Sequence, residues 1–126
     1  MPSERPATRA LERGREAERL AEGFLVERGY SVVARNLHVG RDEIDLVVRS
    51  GPLVVVVEVR CRGAGSWSSA FGSLDAAKRA RIRRAAARLW RERYRSDPSA
   101  ERMRLDVITV ELGRTPPVIE HAPASL

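Results

Sequence analysis

The amino-acid sequence predicts an α/β protein in which helices flank a central β-sheet, in the element order α-β-β-β-α-β with a further β after it. The four consecutive valines Val54 to Val57 are the first observation behind this prediction, because such a continuous apolar run is typical of a strand buried on both faces. The second observation is a pair of segments, about Ala10 to Arg28 and Leu74 to about Tyr94, whose apolar residues recur at helical spacing. Two such helices can cover the two faces of a sheet.

Turn signals and alternation place the remaining elements. Residues 1–9, which contain two prolines, are expected to form a flexible lead-in, and residues 10–126 a single domain. The first helix should stop at Gly29, and the glycine- and serine-rich segment from Arg62 to Ser73 should be a mobile loop. Strands are predicted at Tyr30–Leu37, Arg41–Arg49, Leu53–Arg60 and Arg104–Leu112, with a short fifth at Val118–His121.

Length and composition limit the class of protein. The chain of 126 residues is long enough for one compact core, and no apolar run approaches the roughly 18 to 20 residues of a membrane span. The charged N-terminus lacks the apolar centre of a signal peptide, so we expect a cytoplasmic protein. Cys61 is the only cysteine, which excludes an internal disulfide, and two histidines are too few to complete a zinc site with it.

The charge balance predicts a polyanionic partner, since the net charge is +6 and the pI is about 10.8. Lys78 is the only lysine, however, and this usage is typical of a GC-rich bacterial genome, so the clustering of the arginines matters more than their number. The second predicted helix carries nine cations against two acids. We interpret Lys78, Arg79, Arg81, Arg84 and Arg88 as nucleic-acid contacts. A merely solvated charged face is the alternative.

Two acids on neighbouring strands form the candidate catalytic site. Asp45 lies on the second predicted strand and Glu58 near the end of the third, and hairpin pairing brings them within reach of each other. Desolvated carboxylates need compensation, and Mg²⁺ or Mn²⁺ would supply it in a site that hydrolyses phosphodiesters. Arg60 points to the same face as Glu58 and could hold a phosphate oxygen. A simple salt bridge between Glu58 and Arg60 is the alternative.

Two further acids and two aromatic residues each have two interpretations. Glu43 shares a face with Asp45 by alternation, but its place near the strand mouth favours solvation or pairing with an arginine. Glu18 adds a third acid if the first helix crosses the strand ends, and is otherwise an ordinary polar helix position. Trp67 and Phe71, in the predicted loop, could stack on unpaired bases or pack into the core.

Short motifs are spread over nearly the whole chain, roughly residues 10 to 124. They are Gly14, Ala17-Glu18, Gly29-Tyr30, Arg35-Asn36, Glu43-Ile44-Asp45, Glu58-Val59-Arg60, Lys78, Arg104-Leu105-Asp106, His121 and Ala124. In this order and spacing they resemble the YraN family, small bacterial proteins of unassigned function in the restriction-endonuclease-like superfamily. The resemblance implies a restriction-endonuclease-like core with a central mixed β-sheet, similar to that of archaeal Holliday-junction resolvases.

The resemblance also implies residue roles. The metal ligands would be Asp45, Glu58, Glu18 and the backbone carbonyl of Val59. Lys78 matches a recurring lysine of the family and could contact phosphate or lie on the surface. Arg60 stands where the superfamily carries its catalytic lysine. Because an arginine stays protonated, it cannot act as a base, although it can still stabilise charge on a phosphate.

The preferred hypothesis is a metal-dependent endonuclease that acts on structured or branched nucleic acid, with DNA as the expected substrate. A homodimer would suit a junction substrate. The alternative is a nucleic-acid-binding module of a DNA-processing complex that has lost turnover; Arg60 favours this alternative, whereas Asp45 and Glu58 favour the enzyme. A protein-interaction domain is the third class, and it predicts no salt-dependent affinity for DNA.

Overall fold

The computed structural model describes residues 6–62 and 75–126, with side chains from residue 9 onward. Its elements are α1 (Pro6–Glu27), β1 (Ser31–Val39), β2 (Asp42–Ser50), β3 (Leu53–Arg62), α2 (Ala76–Leu89), β4 (Arg102–Glu111) and β5 (Val118–Ala122). A π-helical turn, Trp90–Tyr94, continues α2 directly. This order confirms the predicted α/β class, including the fifth strand. Within the described ranges, none of the helices combines the length and apolar character that crossing a bilayer would require.

The five strands form one mixed sheet in sequence order, from β1 to β5. The pairs β1–β2, β2–β3 and β4–β5 are antiparallel, whereas β3 and β4 are parallel. A parallel pair needs a crossover between its strands, and α2 lies in that connection. The arrangement is consistent with the expected restriction-endonuclease-like core. It places the centre of the sheet, β3, between two helical layers.

The core lies on both faces of β3, as the valine run predicts. Val55 and Val57 pack on one face with Ala21 and the other buried residues on the α1 side of the sheet. We call this cluster the α1-side core. Val54 and Val56 pack on the other face with Ile82 and its neighbours, the α2-side core. All four valines are at most 1% exposed. Since side chains alternate along a strand, residue 58 follows Val54 and Val56 onto the α2 side.

Helix boundaries differ from the predicted ones at both N-terminal ends. Helix α1 begins at Pro6, not at about Ala10, because proline is tolerated in the first turn, where its missing N–H has no helical partner. Leu11, the first residue of the predicted apolar series, is exposed. Helix α2 begins after Asp75, whose carboxylate caps the helix by accepting the Lys78 backbone N–H at 2.8 Å.

Several predictions fall on residues outside the described ranges. These are the first five residues of the lead-in, most of the predicted loop, and Trp67, Phe71 and Leu74. On the described part of α2, Ile82, Ala85, Ala86 and Leu89 are buried as predicted, and Trp90 is half-buried. Ala77 is exposed, contrary to the prediction. The inward stripe of α2 instead runs from Ile82 back to positions 78 and 79, four and three residues earlier.

Candidate active site

The site begins where β2 and β3 separate. Their ladder pairs Ser50 with Leu53 and continues as far as Leu46 and Val57. Beyond this pair, the Asp45 carboxylate replaces a strand partner, because its Oδ2 accepts the Val59 backbone N–H at 2.8 Å. The result is a carboxylate held in the opening between two diverging strands.

Regular alternation along β2 breaks at Asp45. Ile44 packs in the α2-side core, whereas Leu46, two positions later, packs in the α1-side core. In a regular strand these residues would share a face, so the backbone is irregular at the residue between them. Asp45 accordingly borders a cleft on each side of the sheet. It can therefore contact groups from both helical layers.

Glu58 supplies the second carboxylate. It is 7% exposed, and the Lys78 ammonium of α2 approaches its Oε1 to 3.1 Å. Together with Asp45, these two side chains line a cleft of about 250 Å³, which we call the acidic cleft. Arg41 and Arg81 line the same cleft. Asp42 and Glu43 complete the lining, so four acids and three cations converge at one end of the sheet.

Burial and the neighbouring acid make Asp45 hard to ionise. Burial is the main cause that raises the pKa of Asp45, the Glu58 carboxylate raises it further, and the Val59 hydrogen bond opposes both effects; the resulting pKa is about 8, against an ordinary value of 3.8. In the absence of a cation, Asp45 therefore keeps its proton over much of the neutral pH range. A cation beside Asp45 and Glu58 would offset the cost of burying their negative charge.

Glu18 approaches from the α1 side. It lines a cleft of about 270 Å³ that also includes Asp45. Burial raises the pKa of Glu18, with further increases from the charges of Glu43 and Glu58, while a hydrogen bond from Asn36 lowers it. Helix α1 therefore does bring this acid to the strand ends, the arrangement that the sequence left open.

Asn36 links the acids on this side. It lies opposite Asp45, because the β1 residues on either side of it pair with Leu46 and Ile44. With its amide nitrogen turned toward the acids, Asn36 donates to Glu18 Oε2 at 3.2 Å and to Glu43 Oε1 at 3.1 Å. Its backbone has a φ of 48°, a left-handed conformation that asparagine tolerates better than most residues. Glu43 is exposed, as expected for a solvated acid at the strand mouth, and it accepts a hydrogen bond from the Asn36 amide.

The donor set suits a hard divalent cation. Carboxylate oxygens from Asp45, Glu58 and Glu18, with the Val59 carbonyl, are the oxygen ligands that Mg²⁺ and Mn²⁺ prefer. The raised pKa of Asp45 is the observation that indicates missing positive charge. Among the described residues, however, no three acids, histidines or cysteines already surround one point closely enough to form a complete metal shell. Binding would therefore require these side chains to move closer together.

The predicted cations lie in different surroundings. Arg84 pairs with Asp42 at 3.3 Å and Arg88 with Glu92 at 2.7 Å, and both arginines are exposed. Arg81 lines the acidic cleft, and Arg79 is half-buried. In the part of the chain that the structure describes, the side chains lining the acidic cleft do not include Arg60, although it is half-buried two positions beyond Glu58.

Lys78 is the residue whose place the sequence reasoning missed. The sequence predicts it on the outward basic face or on the surface, whereas its ammonium contacts the buried Glu58. The signal was present in the sequence, because Lys78 precedes Ile82 by four residues and so belongs to the inward stripe of α2. Asn36 gave no comparable signal, since its role depends on the pairing of β1 with β2.

The raised pKa of Asp45 predicts how stability depends on pH without metal. The folded pKa of about 8 exceeds the ordinary 3.8, so the stability that protonated Asp45 contributes is fully present below about pH 4 and is lost as the pH rises through 8. Asp45→Asn cannot ionise, and we expect it to unfold several degrees higher than wild type at pH 8 in EDTA. About 1 kcal/mol corresponds to roughly 4 °C. Thermal unfolding between pH 5 and pH 9 measures this.

The matched control is Glu120→Gln, which removes an exposed acid on β5 and should follow the wild-type curve. A difference in unfolding temperature between wild type and Asp45→Asn that stays constant from pH 5 to pH 9 would contradict the assignment of the raised pKa to Asp45.

The fold is that of an α/β protein whose mixed five-stranded sheet is consistent with a restriction-endonuclease-like core. Comparison with known proteins then gives the family. The model of the uncharacterised protein family UPF0102 matches residues 17–110. The chain belongs to the UPF0102 family, and this confirms the YraN-like resemblance seen in its motifs.

Individual relatives match most of the chain. A UPF0102 protein of Sorangium cellulosum is 50% identical over 104 residues, covering 82% of this chain and 71% of the relative. One from Alkalilimnicola ehrlichii is 39% identical over 124 residues, covering 97% and 96% of the two chains. One from Anaeromyxobacter dehalogenans is 38% identical over 112 residues, covering 89% and 81%. The family name records no activity, so function has to be argued from the site.

Proposed function

We propose that this protein is a Mg²⁺- or Mn²⁺-dependent endonuclease that hydrolyses phosphodiester bonds in structured or branched nucleic acid, with DNA as the substrate. The observation that carries the proposal is the convergence of Asp45, Glu58 and Lys78 in one cleft. Two neighbouring carboxylates can hold a cation, and a lysine beside them can orient a water molecule or donate a hydrogen bond to a phosphate oxygen. Arginines around the cleft can bind the nucleic-acid backbone.

The ion would be held by Asp45 and Glu58, with Glu18 and the Val59 carbonyl as further ligands. When bound, Mg²⁺ lowers the pKa of an attacking water and neutralises charge on the scissile phosphate. Asp45 is kept in place by the Val59 N–H at 2.8 Å, and Asn36 orients Glu18. These contacts restrict the positions of Asp45 and Glu18 before substrate arrives, which limits the reorganisation that catalysis requires.

The cations of the cleft have separate tasks. Lys78 lies within hydrogen-bonding reach of Glu58, where it can orient the attacking water or donate to a phosphate oxygen. Arg41 and Arg81, on the same cleft, can hold the non-bridging oxygens of the neighbouring phosphates. Arg60 cannot act as a base, but it can contribute charge and hydrogen bonds to a phosphate. The amine that the triplet lacks is thus supplied by α2.

The second candidate is a nucleic-acid-binding module without turnover. Arg60 in place of lysine favours it, because the acid-any-lysine triplet is incomplete on β3. It would keep salt-dependent affinity for DNA and show no metal-dependent cleavage. A protein-interaction domain, the third class, would show neither property.

Cleavage of labelled linear, flapped and four-way-junction DNA with Mg²⁺ or Mn²⁺ tests the proposal. We expect cutting that needs metal and falls by at least about 1,000-fold in Asp45→Asn and Glu58→Gln, since each variant loses a charged ligand. Mg²⁺ should also raise the unfolding temperature of wild type at pH 8 and leave that of Asp45→Asn unchanged. Glu120→Gln, purified identically, should cut as wild type does.

Two results would count against the enzyme. Binding of DNA without cutting, unchanged in Asp45→Asn and Glu58→Gln, would favour the binding module. Cutting that persists equally in both variants would identify a contaminating nuclease, and the proposed site would then have no role in it.

A further inference from the structure

A row of five arginines runs along one face of α2 and its π-helical turn. They are Arg81, Arg84, Arg88, Arg91 and Arg95, separated by three, four, three and four residues. This spacing places successive side chains on the same helical face, and all five are exposed. At 1.5 Å per residue the row is about 21 Å long. We call it the arginine row.

The row connects two different surface features. Arg81, at one end, lines the acidic cleft. The next concavity along the surface shares Arg41 with that cleft and adds Arg84, Arg88 and Arg91. Arg91 and Arg95 then line a third concavity of about 640 Å³. Shared lining residues therefore join the acidic cleft to this third concavity, which we call the Trp90 groove.

The Trp90 groove combines an apolar surface with positive charge. Trp90, Met103, Leu105 and Leu126 supply the apolar part, and the buried Tyr94 supports Trp90, with ring centroids 5.9 Å apart. Arg83 and Arg102 line it as well as the two arginines of the row. No acid is found among the described residues that line the groove. A ligand that fits is therefore anionic and carries a flat apolar portion.

We propose that the arginine row carries one strand of nucleic acid from the acidic cleft to the Trp90 groove, where an unpaired base stacks. This inference rests on the proposed function, because it takes the acidic cleft as the position of the scissile phosphate. A nucleotide supplies both the charge and the aromatic ring that the groove suits. The length of the row matches about six phosphate spacings of 3.4 Å.

The continuity of the row favours nucleic acid over an acidic peptide. A peptide would need only the groove, whereas a polyanion with regularly spaced charges can contact every arginine between the groove and the cleft. The existing pairs of Arg84 with Asp42 and of Arg88 with Glu92 are exposed, and exposed ion pairs are weak enough for a phosphate to replace them. The substrate implied has a single-stranded extension of at least about six nucleotides beside the cut.

Binding without cleavage tests the row separately from the enzyme. Fluorescence anisotropy in EDTA would measure the affinity for duplexes carrying single-stranded tails of zero to ten nucleotides. We expect affinity to rise about tenfold or more as the tail grows to about six nucleotides and then to level off. Trp90→Leu should lose the part of this gain that appears when the tail reaches the Trp90 groove, and it should bind the blunt duplex as wild type does. Arg91→Gln with Arg95→Gln should reduce the slope of log affinity against log salt by about 1.4, which is about 0.7 for each single-strand phosphate contact.

The matched control is Arg93→Gln, which removes a cation from the same π-helical turn but off the row. It should keep both the tail dependence and the salt slope. Affinity independent of tail length, or equal losses in Arg93→Gln and in the double variant, would overturn the inference. So would a groove that binds an acidic, leucine-rich peptide and leaves the tails unbound. If Trp90→Leu fails to fold, the arginine double variant still decides.

The two proposals fail differently. Tail-dependent binding without metal-dependent cutting would support the role of the arginine row and contradict the endonuclease proposal. Metal-dependent cutting that does not depend on tail length would support the endonuclease proposal and contradict the role of the arginine row.

Discussion

Lys78→Met is expected to reduce metal-dependent cleavage by about 100-fold or more. It is also expected to enlarge the increase in unfolding temperature that Mg²⁺ causes. General acid–base groups contribute about 10² to 10⁴ in rate, and Lys78 is the only lysine of the chain. Methionine keeps most of the aliphatic stem and removes the ammonium that lies 3.1 Å from Glu58. Single-turnover cleavage measures the rate, and thermal unfolding with and without Mg²⁺ measures the stability.

The effect of Mg²⁺ on the unfolding temperature distinguishes a role of Lys78 in the reaction from a purely structural role. Without its ammonium partner, Glu58 is a buried carboxylate that lacks compensation, so added Mg²⁺ should raise the unfolding temperature of Lys78→Met more than that of wild type. A purely structural lysine would give a variant that Mg²⁺ restores in both stability and cleavage. Lys78→Arg keeps the charge, and recovery of cleavage in that variant would mean that the role is electrostatic, not proton transfer.

Arg60→Lys distinguishes the two positions from which an amine could act. If Lys78 fills the role, restoring a lysine at position 60 should change cleavage by less than about threefold. If Arg60 is instead a weakened catalytic group, the same substitution should raise cleavage strongly, and Lys78 would be left as the ion-pair partner of Glu58. The pair of variants Lys78→Met and Arg60→Lys therefore assigns the amine whichever result is obtained.

The fold could be predicted because local patterns determine it. The valine run marks β3 as central and the two apolar stripes supply the layers. The proximity of Asp45 and Glu58 also follows from a hairpin. The lysine could not be placed in the same way, because the contact of Lys78 with Glu58 depends on where α2 crosses the sheet. Hairpin pairing alone does not contain that information.

The irregular backbone of β2 at Asp45 is a second feature that the sequence does not predict. Alternation predicts that Ile44 and Leu46 share a face, yet they enter opposite cores. A side-chain to backbone bond from Asp45 to Val59 replaces the regular ladder there. No propensity indicates such a bond before the two strands are seen to diverge. The irregularity coincides with the proposed ligand, as expected when function sets the local geometry instead of packing.

The contacts of Asp106, which stabilise the fold, are a third feature that the sequence does not predict. Arg104-Leu105-Asp106 entered the sequence reasoning only as a motif, with no role for its acid. In the structure Asp106 is fully buried on β4. Its carboxylate accepts from Arg104 Nε and Nη2, each at 2.8 Å, and from the Ala124 backbone N–H at 2.9 Å. It also forms a 2.8 Å hydrogen bond with His121 Nε2. These partners come from β4, β5 and the C-terminal segment, so no local pattern assembles them.

Asp106→Asn is expected to be the most destabilising conservative substitution in the described part of the chain. Breaking a buried ion pair by removing one partner costs about 3–5 kcal/mol, because the other charge is left uncompensated, and the half-buried Arg104 has the fully buried Asp106 as its ion-pair partner. At roughly 4 °C per kcal/mol this corresponds to a fall of about 12–20 °C in unfolding temperature. Thermal unfolding at pH 7 measures it, with Glu120→Gln as the exposed-acid control.

The same acid holds the C-terminus against the sheet. The Ala124 N–H binds Asp106, the Ser125 N–H donates to the Leu105 carbonyl at 3.1 Å, and Leu126 packs against the α2-side core. Loss of the carboxylate should therefore release this segment first. Hydrogen exchange of the Ala124 and Ser125 amides should accelerate in Asp106→Asn and stay slow in Glu120→Gln.

Acid should erase the difference between wild type and Asp106→Asn. Burial alone would raise the pKa of Asp106, but the hydrogen bonds from Arg104, Ala124 and His121 lower it below its ordinary value of 3.8. The stability that the ionised carboxylate contributes is therefore present above about pH 4 and is lost as the pH falls through the lowered pKa. The unfolding temperatures of the two proteins should converge as the pH falls below 3.8 and through the lowered pKa of Asp106. A fall of under about 3 °C at pH 7, or a difference that persists in acid, would show that the carboxylate network does not hold this end of the fold, because its energetic effect must vanish once Asp106 is protonated.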